Sequence, residues 1–364
     1  MRKTVLFVLA VMGLSLSVVA QEKSIVPLAD PYILLDGDTY YAYGTNDANG
    51  IAVWTSNDLY TWTKCSELAL HKQNTTESQW FWAPEVYKKN GEYYMYYSAN
   101  EHLYVATASS PTGPFVQLGE CMTKSVLGDE KCIDSSVFFD DNGQAWLFFV
   151  RFTDGNCIWM CQLDDDLVTL RPNTLSKCIN VTQQWENQLG RVNEGPFILK
   201  HSGIYYLTYS GNDYRSQDYA VGYAMTRSLV STSGAPSWSK YASNPIVRRV
   251  EDLVGTGHHS FFTDKEGKLR IVFHAHDSET EVNPRRMYIG TMEFVGNKLQ
   301  MTDDPIIRPA KPSPLSTGEM EYLPGKTLKT LETIGSPTAY SLLGTTVSHP
   351  NHGIYITQGC KIVY

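Results

Sequence analysis

Four carboxylates and one imidazole stand at similar places in five similar stretches of this chain. Asp30, Glu85, Asp134, Glu194 and His258 lie seven, six, nine, nine and nine residues ahead of Gly37, Gly91, Gly143, Gly203 and Gly267. Carboxyls gathered within a few ångströms of one another cannot all ionise, because each like charge raises its neighbours' pKa. Such a group keeps one member neutral, able to give a proton, and another ionised, able to take one. That is general acid and general base chemistry at a single site.

The five glycines belong to a repeat. DGDTYYAYGT at Asp36, NGEYYMYYSA at Asn90, NGQAWLFFVR at Asn142, SGIYYLTYSG at Ser202 and EGKLRIVFHA at Glu266 each join a polar-Gly turn to an aromatic or aliphatic strand, which is hairpin chemistry. The glycines are 54, 52, 60 and 64 residues apart. Another strand-like run follows each unit: 51–55, 103–108, 157–163, 220–226 and 287–294. Several short strands recurring at this period predict an all-β fold, a five-bladed β-propeller spanning residues 21–310. A β-sandwich offers no reason for the period. Equal phase in a propeller means equal radius and height, so the five polar side chains are expected to converge on one end of the central channel. Acid and base facing each other there are what hydrolysis of a glycosidic bond requires. Tyr32, Phe81, Trp82 and Phe197, in the same segments, offer flat apolar faces for a sugar ring.

Beyond the repeat, the chain opens with Arg2 and Lys3, an apolar run from Val5 to Val19, and Ala20 before a polar stretch. This is the layout of a secretory signal peptide over residues 1–20, and it predicts export to the periplasm or the extracellular space. No second apolar run is long enough to cross a membrane, so no membrane insertion is expected. The formal charge is −8 with no basic cluster, which argues against nucleic acid as a partner and for a neutral one such as a carbohydrate. The seven cysteines are dispersed, without the paired spacing of a zinc site. Their odd number leaves at least one unpaired, and most read as small buried hydrophobes. Residues 311–364 read as a tail or a propeller-closing extension, with strands expected at 354–357 and 361–364.

The motifs Ala29-Asp30-Pro31, Phe81-Trp82-Ala83-Pro84-Glu85, Ile133-Asp134-Ser135, Asn193-Glu194-Gly195-Pro196 and Gly255-Thr256-Gly257-His258-His259-Ser260 occur in this order. Together they resemble glycoside hydrolase family 43 from about residue 25 to about 310. The resemblance implies a five-bladed propeller and an inverting single displacement. It also implies Asp30 as general base, Glu194 as general acid, and Asp134 as the residue that orients the acid and holds up its pKa. His258 would face a central calcium or another cation, directly or through water. Trp82, Glu85 and Phe81 are candidate substrate contacts. An arginine near the base is implied in HAHDSETEVNPRRMYIG, where spacing to Ile289 favours Arg285 over Arg286. His274 and His276 form a further polar pair.

Five-bladed sucrose- and fructan-cleaving enzymes carry NDPNG, RDP and EC motifs where this chain has ADPYI, CIDSS and NEGP, so they are the weaker match. A non-catalytic glycan-binding propeller is a reading of another class, and it would be favoured by loss of a carboxylate. Family membership leaves the sugar open among arabinofuranosides, xylosides and galactosides, with an exo-acting α-L-arabinofuranosidase first in line. Specificity is expected in the loops Cys65 to Gln79 and Asp213 to Asp218.

Overall fold

A computed structural model describes residues 22–230 and 236–312, and the backbone of four short strands between residues 339 and 363. The leader expected at residues 1–20 lies outside the described residues. From residue 29 to residue 301 the chain forms five antiparallel sheets in succession, each a blade whose first four strands pair in sequence order. The innermost strands are Ala29–Asp36, Trp82–Lys89, Cys132–Phe139, Asn193–His201 and Gly257–Thr263, in blades 1 to 5. Each turns at its glycine into a second strand: Thr39–Asp47, Glu92–Ala99, Ala145–Arg151, Ile204–Gly211 and Leu269–Ala275. The inner strands touch in the order 1-2-3-4-5-1, which closes the five-bladed propeller.

Apolar side chains from facing blades explain the closure. There are five buried clusters, one at each junction between neighbours. Tyr43, Ile51 and Val53 of blade 1, for instance, pack on Met95, Tyr97 and Ala106 of blade 2. Full burial of one such side chain stabilises by roughly 1.5–3 kcal/mol, so each junction is a small core of its own. The ring is stapled where its first and last segments meet. Met287 N–H donates to Val26 C=O at 3.0 Å and Ile25 N–H to Pro309 C=O at 2.8 Å. Ile307 N–H reaches Ile289 C=O at 2.8 Å, and Trp62 N–H in blade 1 reaches Ala310 C=O at 3.0 Å.

Every inner strand is irregular at the same place. Three steps along it face two along the second strand, between Ala29 and Tyr32, Trp82 and Glu85, Ile133 and Ser136, Glu194 and Phe197, and Gly257 and Ser260. This is one β-bulge per blade, with a left-handed residue in it: Asp30, Ala83, Asp134, Gly195 and His258, with φ between 42° and 57°. A bulge interrupts the ladder and re-aims the side chains around it.

Residues Pro314–Tyr364 form a separate unit. Its described strands, Ala339–Ser341, Thr346–Val347, Ile354–Thr357 and Cys360–Val363, make one antiparallel sheet. Among the described residues, no helix is long and apolar enough to cross a membrane. Among the described residues, six cysteines are free: Cys65, Cys121, Cys132, Cys157, Cys161 and Cys178.

Candidate active site

The bulges correct the phase read from the turns. The residues truly equivalent between blades are Asp30, Ala83, Asp134, Gly195 and His258. Glu194 stands one position before the bulge residue and Glu85 two positions after it. Glu85 therefore lies along the channel from the other carboxyls. It is buried with its carboxyl on the Tyr87 hydroxyl, and it lines a constricted part of the channel together with Asp30, Asp134 and His258. It is absent from the lining of the cavity at the mouth.

That cavity, of about 240 Å³, brings together Asp30, Asp134, Glu194, Trp82, His258 and Arg285, with Ile133 and Tyr214. Asp30 Oδ1 accepts from Arg285 Nη1 at 2.9 Å and has His258 Nδ1 at 3.3 Å. Asp30 Oδ2 accepts from the Thr45 hydroxyl at 2.6 Å, and Thr45 Oγ1 in turn accepts the Ala83 N–H at 3.0 Å. Arg286, next in the chain, turns away and pairs with Asp277 at 2.6 Å. Glu194 Oε1 accepts from the Tyr219 hydroxyl at 2.8 Å and Oε2 from Asn156 Nδ2 at 3.0 Å. Asp134 reaches the backbone beside Glu194: its Oδ2 accepts the Gly195 N–H at 3.1 Å, and its own N–H is held by Ser98 Oγ at 2.9 Å.

Three of the aromatic side chains belong to the interior. Phe81 is 2% exposed and stacks on Tyr97. Tyr32 packs on Tyr87, and Phe197 on Phe261. Trp82 alone of the four lines the catalytic cavity. The two adjacent histidines also part company. His258 faces Asp30, whereas His259 is buried on Thr208 Oγ1 at 2.7 Å. His274 sits on the second strand of blade 5, not on an inner strand. Its Nδ1 accepts the Asp30 N–H at 3.1 Å, and its ring stacks on Tyr219 with centroids 5.6 Å apart. A continuous path thus runs from Asp30 through His274 and Tyr219 to Glu194. Tyr219 and Asn156 escaped sequence reading because they lie outside the repeated motif, and Thr45 because, counted from the turn glycine, its place at the end of the first repeat has no hydroxyl counterpart to mark it.

These neighbours push the carboxyls apart in acidity. Burial would raise Asp30, but Arg285 first and then His258 and His274 together outweigh it and hold the carboxyl well below the usual range. Burial pushes Glu194 up to about 7, the Asp30 charge adds to the rise, and the bonds from Tyr219 and Asn156 restrain it. Asp134 is raised too, by burial and then by the charges of Glu194 and Asp30. Burial and then Arg285 push His274 down to about 3, keeping it neutral. One carboxyl ready to take a proton thus faces another ready to give one.

Residues 24–304 match the model of glycosyl hydrolases family 43. The chain belongs to glycoside hydrolase family 43. It is a glycosidase by that membership, and an inverting mechanism is consistent with the family. A solved structure described as an endo-1,4-β-xylanase from Bacteroides thetaiotaomicron is 39% identical. It superposes with a TM-score of 0.73 over 80% of this chain and 99% of that one. A β-D-galactofuranosidase of Aspergillus niger is 29% identical over 68% of this chain and 73% of its own length. An extracellular exo-α-(1→5)-L-arabinofuranosidase of Cellvibrio japonicus is 26% identical over 70% and 80%. The family 43 resemblance implied a calcium beside His258, and calcium takes about six to eight oxygen ligands. Among the described residues, no group of three or more His, Cys, Asp and Glu side chains is arranged to hold a metal. His258 turns its Nδ1 to Asp30, which leaves its other ring nitrogen as the atom that would face a cation, directly or through water.

Proposed function

We propose that this family 43 glycosidase is exo-acting and releases a terminal α-L-arabinofuranosyl residue with inversion of configuration. The observation that carries this reading is the cavity at the channel mouth, of a size for one sugar ring, with an acidic and a weakly acidic carboxyl both on its wall. Water enters on the Asp30 side and attacks the anomeric carbon as the bond to the leaving oxygen breaks. Asp30 takes the proton that the water gives up, and Glu194 gives its proton to the departing oxygen. Asp134 acts as a positioning residue, tying down the peptide after Glu194. Arg285 keeps Asp30 ionised, and Trp82 offers its face to the bound ring.

Two of the relatives are named for furanosides, which supports a five-membered ring in the cavity. Xylosides are the second reading, favoured by the 39% identical structure described as a xylanase. We also propose export, from the leader-like residues 1–20 and the extracellular naming of the Cellvibrio relative.

The test is a panel of 4-nitrophenyl α-L-arabinofuranoside, β-D-xyloside and β-D-galactofuranoside, hydrolysed by the wild type and by Glu194→Ala. The arabinofuranoside is expected to turn over fastest, with activity falling by roughly 100- to 10,000-fold in the variant. Equal rates in the two proteins would remove Glu194 from its role. Turnover confined to the xyloside would reassign the sugar, and no turnover of any glycan would favour a binding module. Proton NMR of the first-formed anomer reports inversion or retention.

A further inference from the structure

A bulge leaves the N–H of its left-handed residue outside the ladder, and a buried N–H needs a partner. In this ring the partners stand at one place. The pair just before each bulge joins the inner strand to Thr45, Ser98, Val150, Ser210 and His274 on the second strands of blades 1 to 5. Four of these five side chains accept the bulge N–H of the next blade round the ring. Thr45 Oγ1 takes that of Ala83 at 3.0 Å, Ser98 Oγ that of Asp134 at 2.9 Å, Ser210 Oγ that of His258 at 2.7 Å, and His274 Nδ1 that of Asp30 at 3.1 Å. Val150 has no acceptor to offer, and the Gly195 N–H goes to Asp134 Oδ2 instead. Thr45 has a second bond, to the base itself. A hydroxyl carries one proton, and because Oγ1 already accepts from Ala83, that proton is the one given to Asp30 Oδ2 at 2.6 Å. Asp30 Oδ1 is more crowded, with Arg285 Nη1 at 2.9 Å and the ring nitrogens of His258 and His274 at 3.3 and 3.4 Å. A carboxylate held at Oδ1 alone can still turn about its Cβ–Cγ bond, and the bond at Oδ2 stops that rotation. It also leaves Oδ2 a second lone pair for water.

We propose that Thr45 is a positioning residue for the general base. Its hydroxyl, aimed by the Ala83 N–H, holds the Asp30 carboxylate in the orientation that takes the proton of the attacking water. Blade 2, whose bulge residue has no ionisable side chain, thus serves the reaction through its backbone. The inference deepens the reading of Asp30 as the base and rests on it. A Thr45 of structural importance only would do no more than cap Ala83, as Ser98 caps Asp134. Threonine suits the larger task, because its β-branch restricts χ1 and leaves the hydroxyl little freedom on a strand.

The experiment compares the wild type, Thr45→Val, Thr45→Ala and Thr45→Ser on whichever 4-nitrophenyl glycoside the wild type hydrolyses fastest. In Thr45→Val, close to the native side chain in shape, kcat and kcat/KM should fall together, roughly ten- to a hundredfold, with KM unchanged. Thr45→Ser should recover most of the loss, and Thr45→Ala reads the same loss should Thr45→Val fail to fold. The deciding arm adds Thr45→Val or Thr45→Ala to Asp30→Ala. A residue that acts through the base then has nothing left to position, so the double variant should match Asp30→Ala. A further fall of the same size in that background makes Thr45 a structural cap and overturns the proposal. So does a single variant with wild-type kcat, or a loss that Thr45→Ser does not restore. Wild-type activity in Asp30→Ala sinks the reading of the base and the proposal with it, whereas an impaired Asp30→Ala beside an unimpaired Thr45→Val sinks the proposal alone.

Discussion

Replacing Tyr219 by Phe removes one hydroxyl and keeps the ring that stacks on His274. That hydroxyl donates to Glu194 Oε1 at 2.8 Å, a bond that favours the ionised carboxyl and restrains the rise of Glu194, which still reaches about 7. Without it the neutral acid gains, so the pKa of the acid rises. A hydrogen bond to a charged group contributes about 1.5–3 kcal/mol, and one pKa unit corresponds to about 1.4 kcal/mol. Glu194 keeps some contact with solvent at the cavity mouth, so the lower end applies and the shift is about one unit. The acid must be protonated to act, hence activity is lost as pH rises through its pKa. The alkaline limb of kcat/KM on 4-nitrophenyl α-L-arabinofuranoside should therefore move about one unit to higher pH in Tyr219→Phe. At pH 8 the variant keeps a larger fraction of its own maximum than the wild type does. A limb that stays in place, or moves to lower pH, would refute the assignment of that limb to Glu194.

Arg285→Met removes the cation that does most to keep Asp30 ionised. The Asp30 pKa then rises, and because the base must be ionised, the acid limb of the same profile should move to higher pH, with kcat/KM at pH 6 down about tenfold or more. Lys240→Met tests the interior of blade 4, where Lys240 Nζ lies 2.6 Å from the fully buried Glu186. Glu186 also accepts the Tyr209 hydroxyl at 2.6 Å and the N–H groups of Thr182 and Gln183 at 2.7 and 2.8 Å. Left without its counter-charge, the carboxylate should cost about 3–5 kcal/mol in urea unfolding, part of it recovered in Lys240→Met/Glu186→Gln.

The number of blades was legible because each hairpin needs a polar-Gly turn, and those turns recur with the blade. The radial position of the polar residues was only partly legible. Counting back from a turn glycine assumes hairpins of equal length, whereas the bulge residue lies seven, eight, nine, eight and nine residues ahead of the glycine. The error placed Glu85 level with Asp30, when Ala83 is the residue there. A better ruler was present in the sequence: Asp30-Pro31, Ala83-Pro84 and Gly195-Pro196 mark the same step in three blades. Tyr219, Thr45 and Asn156 had no such marker. They come from loops and second strands that differ between blades, and only folding brings them to the carboxyls. The aromatic residues failed as site markers for a plainer reason. Most of them fill the junctions between blades, and only the direction of each strand decides which one faces the mouth.

The five bulges carry a consequence for how such a site changes its chemistry. A left-handed backbone accepts few residue types without penalty, chiefly Gly, Asn, Asp and His, and four of the five positions hold Asp, Gly or His. The conformation that kinks each inner strand thus admits Asp and His, two side chains that can transfer protons. Because the ladder resumes beneath every kink, one position can be exchanged while the blade below keeps its pairing. A ring of this kind is a set of five sockets, and Ala83 and Gly195 mark the two now left without an acid, a base or a ligand.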